Sequence, residues 1–158
     1  MKGSVEPALE RLVEGTVMFH VLQPDRDDGV SRALLGMSIG DPTAERVARA
    51  QLQYEQETDW QLLGYAPAGS LLGSIGFQIT APDETTIRHI AVLPPYRGQG
   101  IGRKLVEHLI ATRRLERLLA ETDRDAVGFY RRCGLVITSL GERYPGVERF
   151  GCAWARVP

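Results

Sequence analysis

Residues 87–109 read IRHIAVLPPYRGQGIGRKLVEHL, and three local signals meet there in register. Residues 87–93 are rich in strand formers, and Pro94-Pro95 ends the run because neither proline can donate to a sheet ladder. From Gly100 the period changes. Ile101, Leu105 and Leu109, with Val106 and Ile110 beside them, recur every four residues, while Arg103, Lys104, Glu107 and His108 take the other side, so the spacing predicts an amphipathic helix. Between strand and helix lies Arg97-Gly98-Gln99-Gly100-Ile101-Gly102, whose glycines let the backbone turn tightly and bring its N–H groups close to a partner. The free N–H groups of a first helical turn and the positive end of the helix dipole make such a turn an anion site, and Arg97 and Arg103 add charge to it. Phosphate is the natural guest.

The rest of the chain bounds what this unit can belong to. A length of 158 residues, 43% hydrophobic and 25% charged, suits one domain with one core spanning residues 1–158. A net charge of −1 supplies no bulk field for nucleic acid or an anionic membrane. Cys133 and Cys152 are too few for a disulfide framework, and no leader pattern or run of ~18 apolar residues is visible, so a cytoplasmic protein without a membrane span is expected. No metal-ligand pattern stands out.

In chain order, residues 1–16 form a tail or short helix and residues 17–22 a first strand, followed by an acidic turn at 25–29. Residues 31–39 read as a short helix. Asp41-Pro42 looks like an N-cap with proline at the first helical position, opening a polar helix through about Glu57 with Ala44, Ala48 and Leu52 on its apolar side. Residues 60–66 and 71–80 are strand-like around the turn 67–70, and the strand ending at Leu93 completes a meander. After the central helix, residues 117–122 make a further strand, and strand, helix, strand implies a right-handed crossover with parallel pairing. Asp123 to Asp125 cap a short helix at 126–133, and two last strands, 135–140 and 148–156, flank a loop at 141–147.

Three phosphate-loop patterns compete for residues 97–103. The P-loop fails, since no Gly-Lys-Ser/Thr follows at the required spacing. The dinucleotide pattern G-x-G-x-x-G is met by Gly98 and Gly100, with Glu121 about 20 residues further on, but its third glycine would be Arg103. The pattern R/Q-x-x-G-x-G/A is met in full by Arg97, Gly100 and Gly102. With the block AETDRDAVGFYRRCGL at residues 120–135 and the order of elements, the chain resembles the GNAT N-acetyltransferases. That likeness implies an α/β fold: a mixed, mostly antiparallel sheet of six to seven strands, flanked by about four helices and splayed between strands 4 and 5, where acetyl-CoA lies as cosubstrate.

The resemblance also implies roles. The Ile90 N–H would hold the acetyl carbonyl, Ala91 and Val92 would flank the pantetheine arm, and the amides of Arg97, Gly98, Gln99, Gly100, Ile101, Gly102 and Arg103 would cradle the pyrophosphate. Asp123 stands where relatives place an asparagine that touches the cofactor; an ionised aspartate cannot donate, and a helix cap is the alternative reading. Tyr130 matches the tyrosine that protonates the leaving thiolate, a transfer from pKa ~10 to ~8.5 that is uphill by roughly 2 kcal/mol unless the site tunes it.

The position of a general base is the point of departure from the family, because Thr86 and Arg88 occupy it. Alternation sends His89 to the opposite face unless a bulge undoes that parity. Arg88 reads either as a contact to a carboxylate or phosphate on the acceptor, with Thr86 beside it, or as an ion pair with Glu84 or Glu121. Cys133 reads as packing. The expected reaction is direct acetyl transfer to a primary amine on a small molecule or peptide, and a homodimer is left open. A non-catalytic acyl-CoA-binding module and a dinucleotide-binding protein are the rival readings.

Overall fold

The computed structural model describes residues 18–23 and 29–158, so the expectations for residues 1–16 and most of the acidic turn lie outside the described residues. Among the described residues, the strands are β1 (Phe19–Leu22), β2 (Trp60–Tyr65), β3 (Gly73–Ala81), β4 (Glu84–Val92), β5 (Arg117–Asp123), β6 (Val136–Tyr144) and β7 (Val147–Ala155). The helices are α1 (Val30–Ser38), α2 (Ala44–Gln56), α3 (Ile101–Arg113) and α4 (Val127–Arg132). The seven strands form one sheet in the order β1-β2-β3-β4-β5-β7-β6. Every neighbouring pair is antiparallel except β4 and β5, which the α3 crossover makes parallel.

Alternation along the strands divides the apolar residues between two faces. On one, Leu63, Ile75, Phe77, Ile87 and Leu118 meet Ile101, Leu105, Val106 and Leu109 of α3, with Tyr130 of α4 in the same core. Leu105 is 0% exposed, so Leu105→Ala would cost about 2–5 kcal/mol in transfer and cavity terms. The smaller cluster on the other face joins Leu62 to Leu35 of α1 and to Ala50 and Tyr54 of α2. The face of α2 therefore differs from the one expected: Ala44, Ala48 and Leu52 are exposed, and Ala50 and Tyr54 carry the packing. Its start differs too. Thr43 is the cap, accepting from the Arg46 N–H at 3.1 Å, while Asp41 sits at φ 53 ahead of it.

The sheet opens where β4 and β5 meet. Their pairing runs from Glu84 opposite Arg117 to Ile87 opposite Ala120 and ends there. Beyond it β4 continues to Val92 along β3, and β5 continues to Asp123 along β7. Two strands held by different neighbours thus diverge from a common base. At the other sheet edge, β6 and β7 run to Tyr144 and from Val147, so the expected loop at 141–147 shrinks to a tight turn, with Gly141 at φ 80 inside a strand irregularity.

Candidate active site

The free edge of β4 supplies the first part of the site. The Leu93 N–H donates to the Leu72 carbonyl at 2.8 Å, on the β3 side. Alternation in an antiparallel ladder then turns the N–H groups of Val92 and Ile90 away from β3, into the opening toward β5, while Ala91 faces Ser74. The Val92 carbonyl is already met from that side by Arg97, whose Nε donates to it at 2.9 Å.

The turn after β4 supplies the second part. Pro94–Tyr96 make one 3-10 turn, and Gly98 and Gly100 follow at φ 77 and 81, a left-handed region that glycine enters without a Cβ penalty. No atom lies within 4 Å of where a Cβ would stand on either, so the space beside this loop at the N-terminus of α3 is open. Ile101 is buried and anchors the helix start in the core. Gly102 serves a different purpose: a Cβ there would lie 2.8 Å from the Phe129 ring, so this glycine lets α4 pack against α3. The Arg103 side chain pairs with Glu107 at 2.9 Å, which leaves it half committed on the exposed side of α3.

Asp123 and Tyr130 supply the third part. The Asp123 carboxylate accepts from the N–H groups of Asp125 at 3.0 Å and Ala126 at 3.2 Å and so closes the turn ahead of α4; the N-cap position is Ala126, without a side-chain bond, so the expected cap by Asp123 to Asp125 is replaced by a side-chain turn. Tyr130 is 5% exposed, and its ring is packed into the main core. Its hydroxyl has no hydrogen-bond partner among the described residues. Burial pushes the phenol above the ordinary tyrosine range, with Cys152 and Cys133 acting in the same direction, and it stays protonated at neutral pH.

On the face of β4 toward α2, the structure corrects the expected parity. Ile87 pairs with Phe77 and His89 with Gly76, leaving Arg88 as an extra, bulged residue. His89 therefore shares a face with Thr86 and Arg88, and its Nδ1 lies 2.6 Å from the Tyr54 hydroxyl of α2. A Cβ on Gly76 would collide with that hydroxyl. Burial, with the Arg88 charge adding to it, holds the His89 imidazole down to about 4, so it is neutral at pH 7. Arg88 makes neither expected ion pair: Glu84 pairs with Arg117, and Glu121 with Arg149 and Arg143. Its Nε and Nη2 donate to Gln78 Oε1 at 3.2 and 2.7 Å, Gln78 Nε2 donates in turn to Asp59 at 3.0 Å, and the guanidinium sits over Trp60 at 5.5 Å. The Thr86 hydroxyl lies 3.5 Å from that of Thr80. Neither Tyr54 nor Gly76 carried a sequence signal, since their meeting depends on the bulge and on a helix 35 residues from His89.

Comparison with known proteins now bears on this geometry. The family model described as Acetyltransferase (GNAT) family matches residues 31–135, about two thirds of the chain, and this protein belongs to that family. An N-acetyltransferase of Bacillus methanolicus is 31% identical over 80 residues, which cover 51% of this chain and 67% of that protein. Other curated relatives match over about half their length. A GNAT-family acetyltransferase from Desulfovibrio desulfuricans superposes with TM-score 0.71 at 20% identity, covering 87% of this chain and 97% of that one. A GNAT acetyltransferase from Elizabethkingia anophelis, solved with acetyl-CoA bound, superposes with TM-score 0.64 at 18% identity over 87% and 97% of the two chains. The sheet is mixed and chiefly antiparallel, which departs from the doubly wound parallel sheet of a dinucleotide fold. No helix of the described residues is long and apolar enough to cross a membrane.

Proposed function

We propose that this protein, as a single domain, transfers the acetyl group of acetyl-CoA directly to a primary amine. The observation that carries the reading is the parting of β4 from β5 after Ile87 and Ala120, which leaves the Ile90 and Val92 N–H groups unpaired beside a glycine-turned helix N-terminus. An extended pantetheine arm has amides that such an edge can pair, and a pyrophosphate fits the N–H groups of a glycine-turned helix N-terminus. The chain thus offers complementary groups to the thioester-bearing arm and to the pyrophosphate of the cofactor.

In this mechanism the Ile90 N–H stabilises negative charge on the acetyl oxygen as the amine nitrogen attacks the carbonyl carbon. The carbon–sulfur bond breaks, the sulfur takes the electron pair and leaves as the thiolate, and the Tyr130 hydroxyl, whose burial makes full proton transfer harder, steadies it with a hydrogen bond. The amine's proton leaves to water. Arg88, oriented by Gln78 and Trp60 and uncompensated by a directly contacting carboxylate, stands with Thr86 on the acceptor side and binds an oxygen group of the acceptor. An amine-acceptor library assayed with acetyl-CoA by release of free thiol tests the reading. Turnover of one amine class is expected; binding of acetyl-CoA without turnover of any amine would favour a non-catalytic acyl-CoA module.

A further inference from the structure

The contact between Tyr54 and His89 fixes where a proton sits. Tyr54 is 7% exposed, and among the described residues its hydroxyl has no hydrogen-bond partner except His89 Nδ1. If Nδ1 carried the proton and donated to the phenol oxygen, the phenol's own proton would be left in a buried place without an acceptor. Such an unmatched buried donor loses its bond to water and gains nothing in return. Donation by the phenol to a bare Nδ1 satisfies both groups. The ring must then carry its proton on Nε2, which has no protein partner among the described residues, on a side chain that is only partly buried.

We infer that Tyr54 locks His89 as a hydrogen-bond donor, so that the His89 Nε2–H and the Arg88 guanidinium together select acceptors bearing a carbonyl or carboxylate oxygen close to the amine. This rests on the acetyltransferase reading above. The bulge at Arg88 is what sets the two donors side by side on one face, and Gly76, opposite His89, is what admits the phenol. An Nε2–H imidazole has no lone pair on its open nitrogen, so His89 recognises the acceptor and does not take its proton. Tyr54 is a positioning residue, acting through His89.

The test uses amino acids, their carboxamides and the matching decarboxylated amines as acceptors. The amino acids and carboxamides are expected to exceed the plain amines by tenfold or more in kcat/KM, chiefly through KM. Relative preference between the two separates a carboxylate from a carbonyl requirement. Tyr54→Phe and His89→Leu should cut that ratio several-fold, with Arg88 left as the remaining donor, and His89→Gln, which keeps a side-chain donor, should retain most of it. Plain amines matching the oxygen-bearing acceptors in the wild type would overturn the inference. A second readout does not depend on turnover: imidazole nitrogen NMR of the free protein should show the Nε2–H form at pH 7, and an Nδ1–H or charged ring would overturn it. Failure of every amine, with the Nε2–H form present, would instead count against the acetyltransferase reading.

Discussion

Replacing Tyr130 by phenylalanine deletes one oxygen from a ring that is 5% exposed and held in the main core. The ring's packing against α3 and the sheet is kept, and the hydroxyl has no protein hydrogen bond to lose, so folding stability should change by less than about 1 kcal/mol. Acetyl-CoA affinity should also stay near that of the wild type. If the hydroxyl meets the departing sulfur only in the transition state, kcat should fall by about 10² to 10⁴, the usual range for a positioned acid, or about 3–5 kcal/mol of barrier. Burial moves the phenol above the ordinary tyrosine range, so any loss of kcat from its ionisation should set in at higher pH than a free tyrosine would give. Single-turnover kinetics with saturating acetyl-CoA isolate the chemical step from product release. A variant with unchanged kcat would show that Tyr130 only packs, and the thiolate role would be wrong.

The two glycines of the α3 turn should fail differently. Gly102→Val drives a side chain into Phe129 and should lower Tm by overpacking, at about 1–3 kcal/mol, whereas Gly100→Val meets no atom but pays for its left-handed φ and covers the anion site, so it should weaken acetyl-CoA binding in titration calorimetry more than Gly102→Val does. Arg88→Ala should raise the acceptor KM and leave acetyl-CoA affinity unchanged; an unchanged acceptor KM would reduce Arg88 to a contact with Gln78 and Trp60. The His89 value is depressed from 6.5 to about 4 in the folded chain, so its contribution to stability is present above pH 6.5 and is lost as pH falls toward 4. His89→Gln should flatten that acid limb in urea titrations across the same window.

The strand, turn and helix of residues 87–113 were legible because each signal is local: prolines end the strand, glycines turn it, and a four-residue period carries the helix into the core. The parting of β4 and β5 followed from family resemblance and not from composition, since nothing in either strand alone says where pairing stops. The acceptor face was the illegible part. Strict alternation placed His89 on the wrong side because the bulge at Arg88 shifts parity by one, and a bulge is decided by pairing with Phe77 and Gly76. Helix α2 misled for a related reason: its packing rests on Ala50 and Tyr54, and a tyrosine that seats its hydroxyl on another strand leaves little apolar period to read. Asp123 bonds the turn ahead of α4 and leaves the cap position to Ala126, a one-turn offset that residue type alone does not fix.

The central claim is that acetyl-CoA occupies the opening between β4 and β5, and backbone amide NMR during an acetyl-CoA titration tests it most directly. The largest shifts are expected on the Ile90 and Val92 amides and on those of residues 98–103, with slowed solvent exchange at Ile90. Saturable binding that leaves those amides unmoved, with the shifts gathered on another surface, would contradict it.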